Sequence, residues 1–322
     1  ARAQVLTALA SRLVELGYWQ DALKAIRWIW HISAHIQILA TPVTHPPSDL
    51  LAETLDSAQF FLLGDKDAFV CVLSALAPHL TADLLAKALD VVCQIGMGFY
   101  RTEALTALAP HLPADLLPKT LEVARQIDNA RDRDSVLAVL ASRLSELGYP
   151  QEALETVRQI ESGYVRAKAL TALSPHLPAD LLAKALDVAR QIVGEESRAK
   201  ALATLAPHLP PELLADALGV AQQIESGCIF RAQALAALAP HLPADLLAEA
   251  LDTACQIGDA DKYAEVLAAM APRLPANLLT KALETACRNE RYRDKALTVL
   301  APHLPAHLLA KAQDVTRQIE DS

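Results

Sequence analysis

The sequence predicts an all-α protein, a right-handed α-solenoid of about ten stacked helical hairpins. Three observations carry that expectation. The segment ALTALAPHLPADLL at 104–117 returns with small changes at 72, 169, 201, 234, 266 and 296. Aligned on the Ala or Ser before the Pro-His-Leu step, the copies anchor at Ala77, Ala109, Ala141, Ser174, Ala206, Ala239, Ala271 and Ala301, a period of 30 to 33 residues. That is the length of a helical hairpin. Hydrophobic residues make up 52% of the chain but aromatic ones only 4%, the usage of closely packed Ala/Leu helices and not of a sheet.

At 322 residues the chain would ordinarily form two globular domains. A repeat overrides that count, because each unit buries its apolar face on its neighbours. The expected body is one elongated array. Residues 1–64 are read as divergent, aromatic-rich hairpins (Trp19, Trp28, Trp30, Phe60, Phe61), continuous with regular repeats over 65–322.

Each regular copy opens with a first helix, A. In the copy at 164–192, Arg166, Leu170, Leu173 and Leu177 recur at helical spacing and define one face. The proline of APHL removes a helical hydrogen bond and is expected to end or kink helix A in its last turn. LPADLL then starts helix B, with Pro178 at the helix entry and Asp180 against the positive end of the dipole. In helix B, Leu181, Ala185, Val188 and Ile192 form one stripe and Leu182, Leu186 and Ala189 a second, so the helix is buried on two sides. The remaining strip, Asp180, Lys184, Asp187 and Gln191, reads as a solvated face with weak ion pairs inside each helix. Glycines between hairpins (Gly64, Gly96, Gly98, Gly163, Gly194, Gly227, Gly258) are expected to take left-handed conformations at helix ends.

Two copies depart from this frame. ASRLVELGYWQDAL at 10 and ASRLSELGYPQEAL at 141 replace the proline-bounded turn with Leu-Gly-Tyr and divide the array into segments of unequal size. They resemble tetratricopeptide repeats, in which a Leu-Gly step meets an aromatic and then an alanine-centred helix. Here those residues are Gly148, Tyr149 and Ala153. The more numerous LAPHLPADLLAKALDVARQI copies resemble the repeats that follow the nucleotide-binding module in bacterial signal-transduction ATPases of the STAND or NACHT type. That resemblance implies a sensor or partner-binding arm. No GxxxxGK[ST] phosphate loop occurs in the chain, so an ATPase module would lie outside it.

Charge and composition narrow the partner. With 29 basic against 38 acidic residues the net charge is −9, spread without a basic stripe, which disfavours nucleic acid. No apolar run reaches the ~18 residues of a membrane span, and ARAQVLTALASRL lacks the features of a signal peptide. Five cysteines (Cys71, Cys93, Cys228, Cys255, Cys287) in no CxxC spacing imply neither a disulfide framework nor a zinc site. The expectation is a cytoplasmic protein without membrane association. Because Arg2–Leu13 already match the repeat and QIEDS falls where a repeat ends, the chain also reads as a piece of a longer polypeptide.

No cofactor, metal or catalytic constellation is expected. His79, His111, His176, His208, His241 and His303 share one position, but neighbouring helices lie about 8–10 Å apart, too far for equivalent imidazoles to share an ion at about 2 Å. The reading preferred for them is a hydrogen bond to free carbonyls at the end of helix A. His31 and His35 have i, i+4 spacing, with His45 further along, but lack the Glu of HExxH. No GxSxG is present, and the cysteines at 93, 255 and 287 replace the Arg of ARQI.

Two further columns are informative. Arg101, Arg133, Arg166, Arg198, Arg231 and Arg293 stand eight residues before the anchor, with Phe69 and Tyr263 in that place in two copies. Their planar forks suit carboxylates such as Asp180 or Asp187, so the expectation is a structural ladder between hairpins. The alternative is a row awaiting an acidic ligand. The copies differ most at the junctions from helix B to the next helix A, where Phe99, Tyr100, Tyr164, Phe230, Tyr263 and Tyr292 cluster. Loops vary without unstacking a core, and aromatics anchor interfaces. These six are the candidate contacts for a protein or peptide partner, with filling of space between hairpins as the alternative for each.

Overall fold

The computed structural model describes residues 66–310, apart from 97, 226, 227 and 289, together with isolated positions on either side. The segment 1–64, with its tryptophans, Phe60, Phe61, His31, His35 and His45, thus lies almost entirely outside the described residues, as do Gly64 and Gly227. Among the described residues every regular element is helical and no strand occurs.

The helices come in pairs: α1 (Lys66–Leu76) with α2 (Ala82–Cys93), α3 (Gly98–Leu108) with α4 (Leu117–Arg125), and α5 (Ala130–Glu146) with α6 (Pro150–Arg158). There follow α7 (Gly163–Leu173) with α8 (Ala179–Arg190), α9 (Glu195–Leu205) with α10 (Pro211–Gln222), α11 (Cys228–Leu238) with α12 (Ala244–Ala254), and α13 (Ala260–Met270) with α14 (Ala276–Arg288). Last comes α15 (Glu290–Leu300), and residues 306–310 are again helical.

The A helix ends where the proline predicts. At 77–79, 109–111, 174–176, 206–208, 271–273 and 301–303 it gives way to a single 3-10 turn over Ala/Ser-Pro-His/Arg. The following leucine is extended, as at Leu80 with φ −71° and ψ 136°. Helix α5 has Ser142 in place of the proline and runs unbroken through seventeen residues. It stops instead in a Schellman motif: Gly148 lies at φ +85°, its N–H donates to Ser145 O (3.0 Å) and the Tyr149 N–H to Leu144 O (2.9 Å).

Both stripes of helix B are buried. Leu181, Leu182, Ala185, Leu186, Val188, Ala189 and Ile192 are all in the core, as are Leu170, Leu173 and Leu177 of the facing A helix. Each such leucine contributes about 1.5–3 kcal/mol by leaving water.

The chain divides into two compact units, Ala1–Glu161 and Ser162–Ser322. The division follows the Leu-Gly-Tyr hairpin α5–α6, one of the two copies that depart from the proline-bounded frame. Within the first unit α1 packs on α3 and α3 on α5. Within the second, α7, α9, α11, α13 and α15 pack in succession, and each B helix lies against the A helix that follows it.

Three expectations about surface and termini change. The polar strip of helix B pairs between consecutive B helices as well as within them: Lys119 binds Asp90, Lys281 binds Asp252 (2.6 Å), and Arg125 Nε donates to Gln159 Oε1 (2.8 Å). Asp187 instead faces Arg190 in its own helix, 3.7 Å away. The glycines are mostly not left-handed. Among the described ones only Gly148 and Gly194 have positive φ, because helix B closes in a tighter last turn (Gln94 N–H to Val91 O, Ile95 N–H to Val92 O) that needs no such residue. The imidazoles of the turn histidines make no hydrogen bond among the described residues. The turn satisfies its own carbonyl, with the Leu80 N–H donating to Ala77 O at 3.4 Å.

Candidate functional site

The junction between helix B and the next helix A is built around the repeated arginine, but its acceptors are carbonyls. Arg101 Nε and Nη2 converge on Ile95 O at 3.0 and 2.6 Å. Arg133 Nη1 reaches Ile127 O (3.0 Å), Arg198 uses Nε (3.3 Å) and Nη2 (3.1 Å) on Ile192 O, and Arg231 Nε reaches Ile224 O (2.7 Å). Arg293 Nη2 contacts Cys287 O at 3.3 Å. Some of these forks also reach the next hairpin: Arg166 Nη1 donates to Gln191 O (3.2 Å) and Arg198 Nη1 to Gln223 O (3.5 Å). The expected Arg-to-carboxylate ladder is therefore corrected in kind. Arg133 does meet Glu161, at 2.6 Å, but the common acceptor is the carbonyl that the tight end of helix B leaves free, and a cation there also faces the negative end of the dipole.

The copy with Tyr263 in the arginine place shows the same demand met by another group. Tyr263 is fully buried, its ring centroid 5.2 Å from that of Tyr292, and the Tyr292 hydroxyl donates to Ile257 O at 2.9 Å. Burial pushes the Tyr263 phenol strongly upward, so it stays neutral. Tyr263 and Tyr292 are thus core residues and leave the set of partner contacts. Phe69, also in the arginine place, is buried likewise.

The A-helix starts are fixed locally. Asn129 Oδ1 accepts from the N–H groups of Arg131 (2.9 Å) and Asp132 (3.2 Å), and Asp259 Oδ1 from Lys262 N–H (3.0 Å). Two residues before the arginine position, the side chain points to solvent in every copy whose exposure is described. In the first unit the column is Asp67, Phe99 and Arg131; in the second it is Tyr164, Glu196, Ile229 and Asp261. Phe99 is 56% exposed, Tyr164 63% and Ile229 51%, and Val193 in the neighbouring junction is 78% exposed. The Val193 carbonyl rests on Gly163, the residue before Tyr164, where a Cβ would lie 1.9 Å from that oxygen.

Tyr100 and Phe230 sit one position further in and are half-buried. Tyr100 takes an edge-on contact with Phe99, centroids 5.4 Å apart, under the ammonium of Lys66 at 5.9 Å. In the second unit the charges in the column are already neutralised. Glu196 accepts from Lys200 Nζ (2.6 Å), which raises the Lys200 pKa through that hydrogen bond, and Asp261 binds Lys295.

Of the six aromatics singled out from sequence, Phe99 and Tyr164 are exposed, Tyr100 and Phe230 are half-buried, and Tyr263 and Tyr292 are buried. Ile229 and Val193 were missed because only rings were sought. Counting two residues back from the arginine in each copy would have found Ile229. Among the described residues no group of three His, Cys, Asp or Glu side chains is placed to hold a metal ion, and no helix is long and apolar enough to cross a membrane. No known family model matches the chain, and no curated protein matches it at a significant level.

Proposed function

We propose that the chain is a non-catalytic helical-repeat scaffold, a right-handed α-solenoid that binds a protein or peptide along the edge formed by the starts of its A helices. The observation that carries this reading is the contrast between two neighbouring positions. The arginine position is nearly constant and ties the junction together. The position two residues earlier is exposed wherever its exposure is described and differs in each copy of a unit: Tyr164, Glu196, Ile229, Asp261 in the second unit and Asp67, Phe99, Arg131 in the first. A frame that is held while one exposed column varies is how a repeat protein acquires a specific surface.

In the second unit the apolar members alternate with acidic ones that are ion-paired, so contact energy resides at Tyr164 with Val193 and at Ile229. Two A-helix spacings separate them, about 16–20 Å, which an extended peptide covers in about six residues. The partner favoured is an extended segment with bulky apolar residues at that interval and no strong net charge. In the cell the array would serve as the cytoplasmic interaction or sensor arm of a larger signalling protein, as the resemblance to STAND-type repeats implies.

The test is affinity capture from the native host by the parent chain and by a Phe99→Ser/Tyr164→Ser/Ile229→Ser variant whose fold is checked by circular dichroism. A specific protein held by the parent should bind the variant about thirtyfold more weakly, the loss expected of a true anchor. Equal capture by both would end the edge reading and leave the array as a structural spacer.

A further inference from the structure

Among the helices α1–α15, one hairpin in each unit carries arginine where the others carry the turn histidine, and both arginines, Arg143 and Arg273, reach back into the preceding turn. Arg143 of α5 donates Nε to Leu112 O at 3.0 Å, the residue beside His111. Arg273, in the turn after α13, donates Nη1 to Ala239 O (3.3 Å) and to Pro240 O, the residue beside His241. The same device thus occurs twice, in two different sequence frames: ASRL in one copy and APRL in the other.

The groups around His111 are few. Its own turn leads into Asp115, α5 presents Arg143 and Glu146, and the preceding turn presents His79 followed by Asp83. Glu146 is engaged by Arg143 at 3.1 Å, and none of these carboxylates forms an ion pair with an imidazole among the described residues. Nothing beside His111 rewards its protonation.

We propose that the His111–Arg143 turn is an acid-sensitive latch: protonating His111 sets an imidazolium against the guanidinium that ties α5 to the turn after α3, and loosens that tie. The electrostatics agree in direction. Burial first, then Arg143 and His79, hold the His111 pKa below its ordinary value. Because the folded value is depressed below the unfolded one of about 6.5, the stabilisation is complete above about pH 6.5 and is lost as the pH falls through the folded value.

Two measurements on the full chain decide the matter. The imidazole of His111, followed by NMR, should titrate about half a pH unit higher in Arg143→Gln than in the parent, the effect of removing a like charge across a few solvated ångströms; an unchanged or lower value overturns the latch. In urea denaturation, the fall in midpoint between about pH 7.5 and about pH 5.5 should be smaller in His111→Gln than in the parent, and should keep its full size in His208→Gln, whose preceding and following turns carry His176 and His241 in place of an arginine. An undiminished fall in His111→Gln, or an equal reduction in His208→Gln, overturns it too. Should either variant fail to fold, the other measurement still decides.

Discussion

At the scale of single residues, the repeated guanidinium works as a cap for a helix that it does not belong to. Arg198 spans two carbonyls, Ile192 O and Gln223 O, that belong to successive junctions. Arg198→Met should therefore cost about 1.5–3 kcal/mol in urea denaturation, the range for hydrogen bonds from a charged donor, and Arg198→Lys should recover only part of it, since an ammonium cannot fork. Tyr292→Phe removes one oxygen yet leaves Ile257 O buried and unpaired, so about 1–3 kcal/mol should be lost without change in the spectrum of the fold. Thiol chemistry offers an independent check on packing. Burial raises the Cys255 pKa while Cys71 is exposed, so alkylation at mildly alkaline pH should label Cys71 well before Cys255.

At the scale of elements, a proline and a glycine do opposite work. The proline ends helix A in a 3-10 turn in six copies, and its replacement by Ser142 lets α5 run on to the Schellman glycine, Gly148. Gly163 has a different duty, since it lets the junction carbonyl of Val193 sit on the start of α7. Gly163→Ala would place a methyl group inside that oxygen. The junction must move, at a cost of about 1–3 kcal/mol or more, and calorimetry should show a lowered Tm. The start of α7, which carries Tyr164, would shift against that junction in the same step, so this variant should also weaken partner binding, unlike Gly258→Ala, where a Cβ meets nothing within 4 Å.

At the scale of the whole molecule, stability is shared between neighbours because no hairpin covers its own apolar faces. Leu173 is fully buried in α7, which packs on α9. Leu173→Ala should cost about 2–5 kcal/mol, and hydrogen exchange should accelerate in α9 as well as in α7. Protection lost in α7–α8 alone would count against shared cores.

The sequence by itself determined the helical class, the period, the place where each A helix stops and both buried stripes of helix B. These follow from spacing and backbone chemistry within a few residues: a 3.6-residue period, a proline without an N–H, leucines at i, i+4 and i+7. Only the tertiary structure decided what the arginines bind, since the acceptors are backbone carbonyls that look alike in any sequence and become free only once helix B has closed in a tight turn. It also decided which junction aromatics face water. Tyr263 and Tyr164 occupy similar stretches of sequence, yet Tyr263 fills the arginine's place and meets Tyr292, twenty-nine residues away (292 − 263), whereas Tyr164 stands two positions earlier in its repeat and points outward. A shift of two residues on a helix turns a side chain by about 200°, from core to solvent, and it is packing against the next hairpin that fixes which of the two directions is inside.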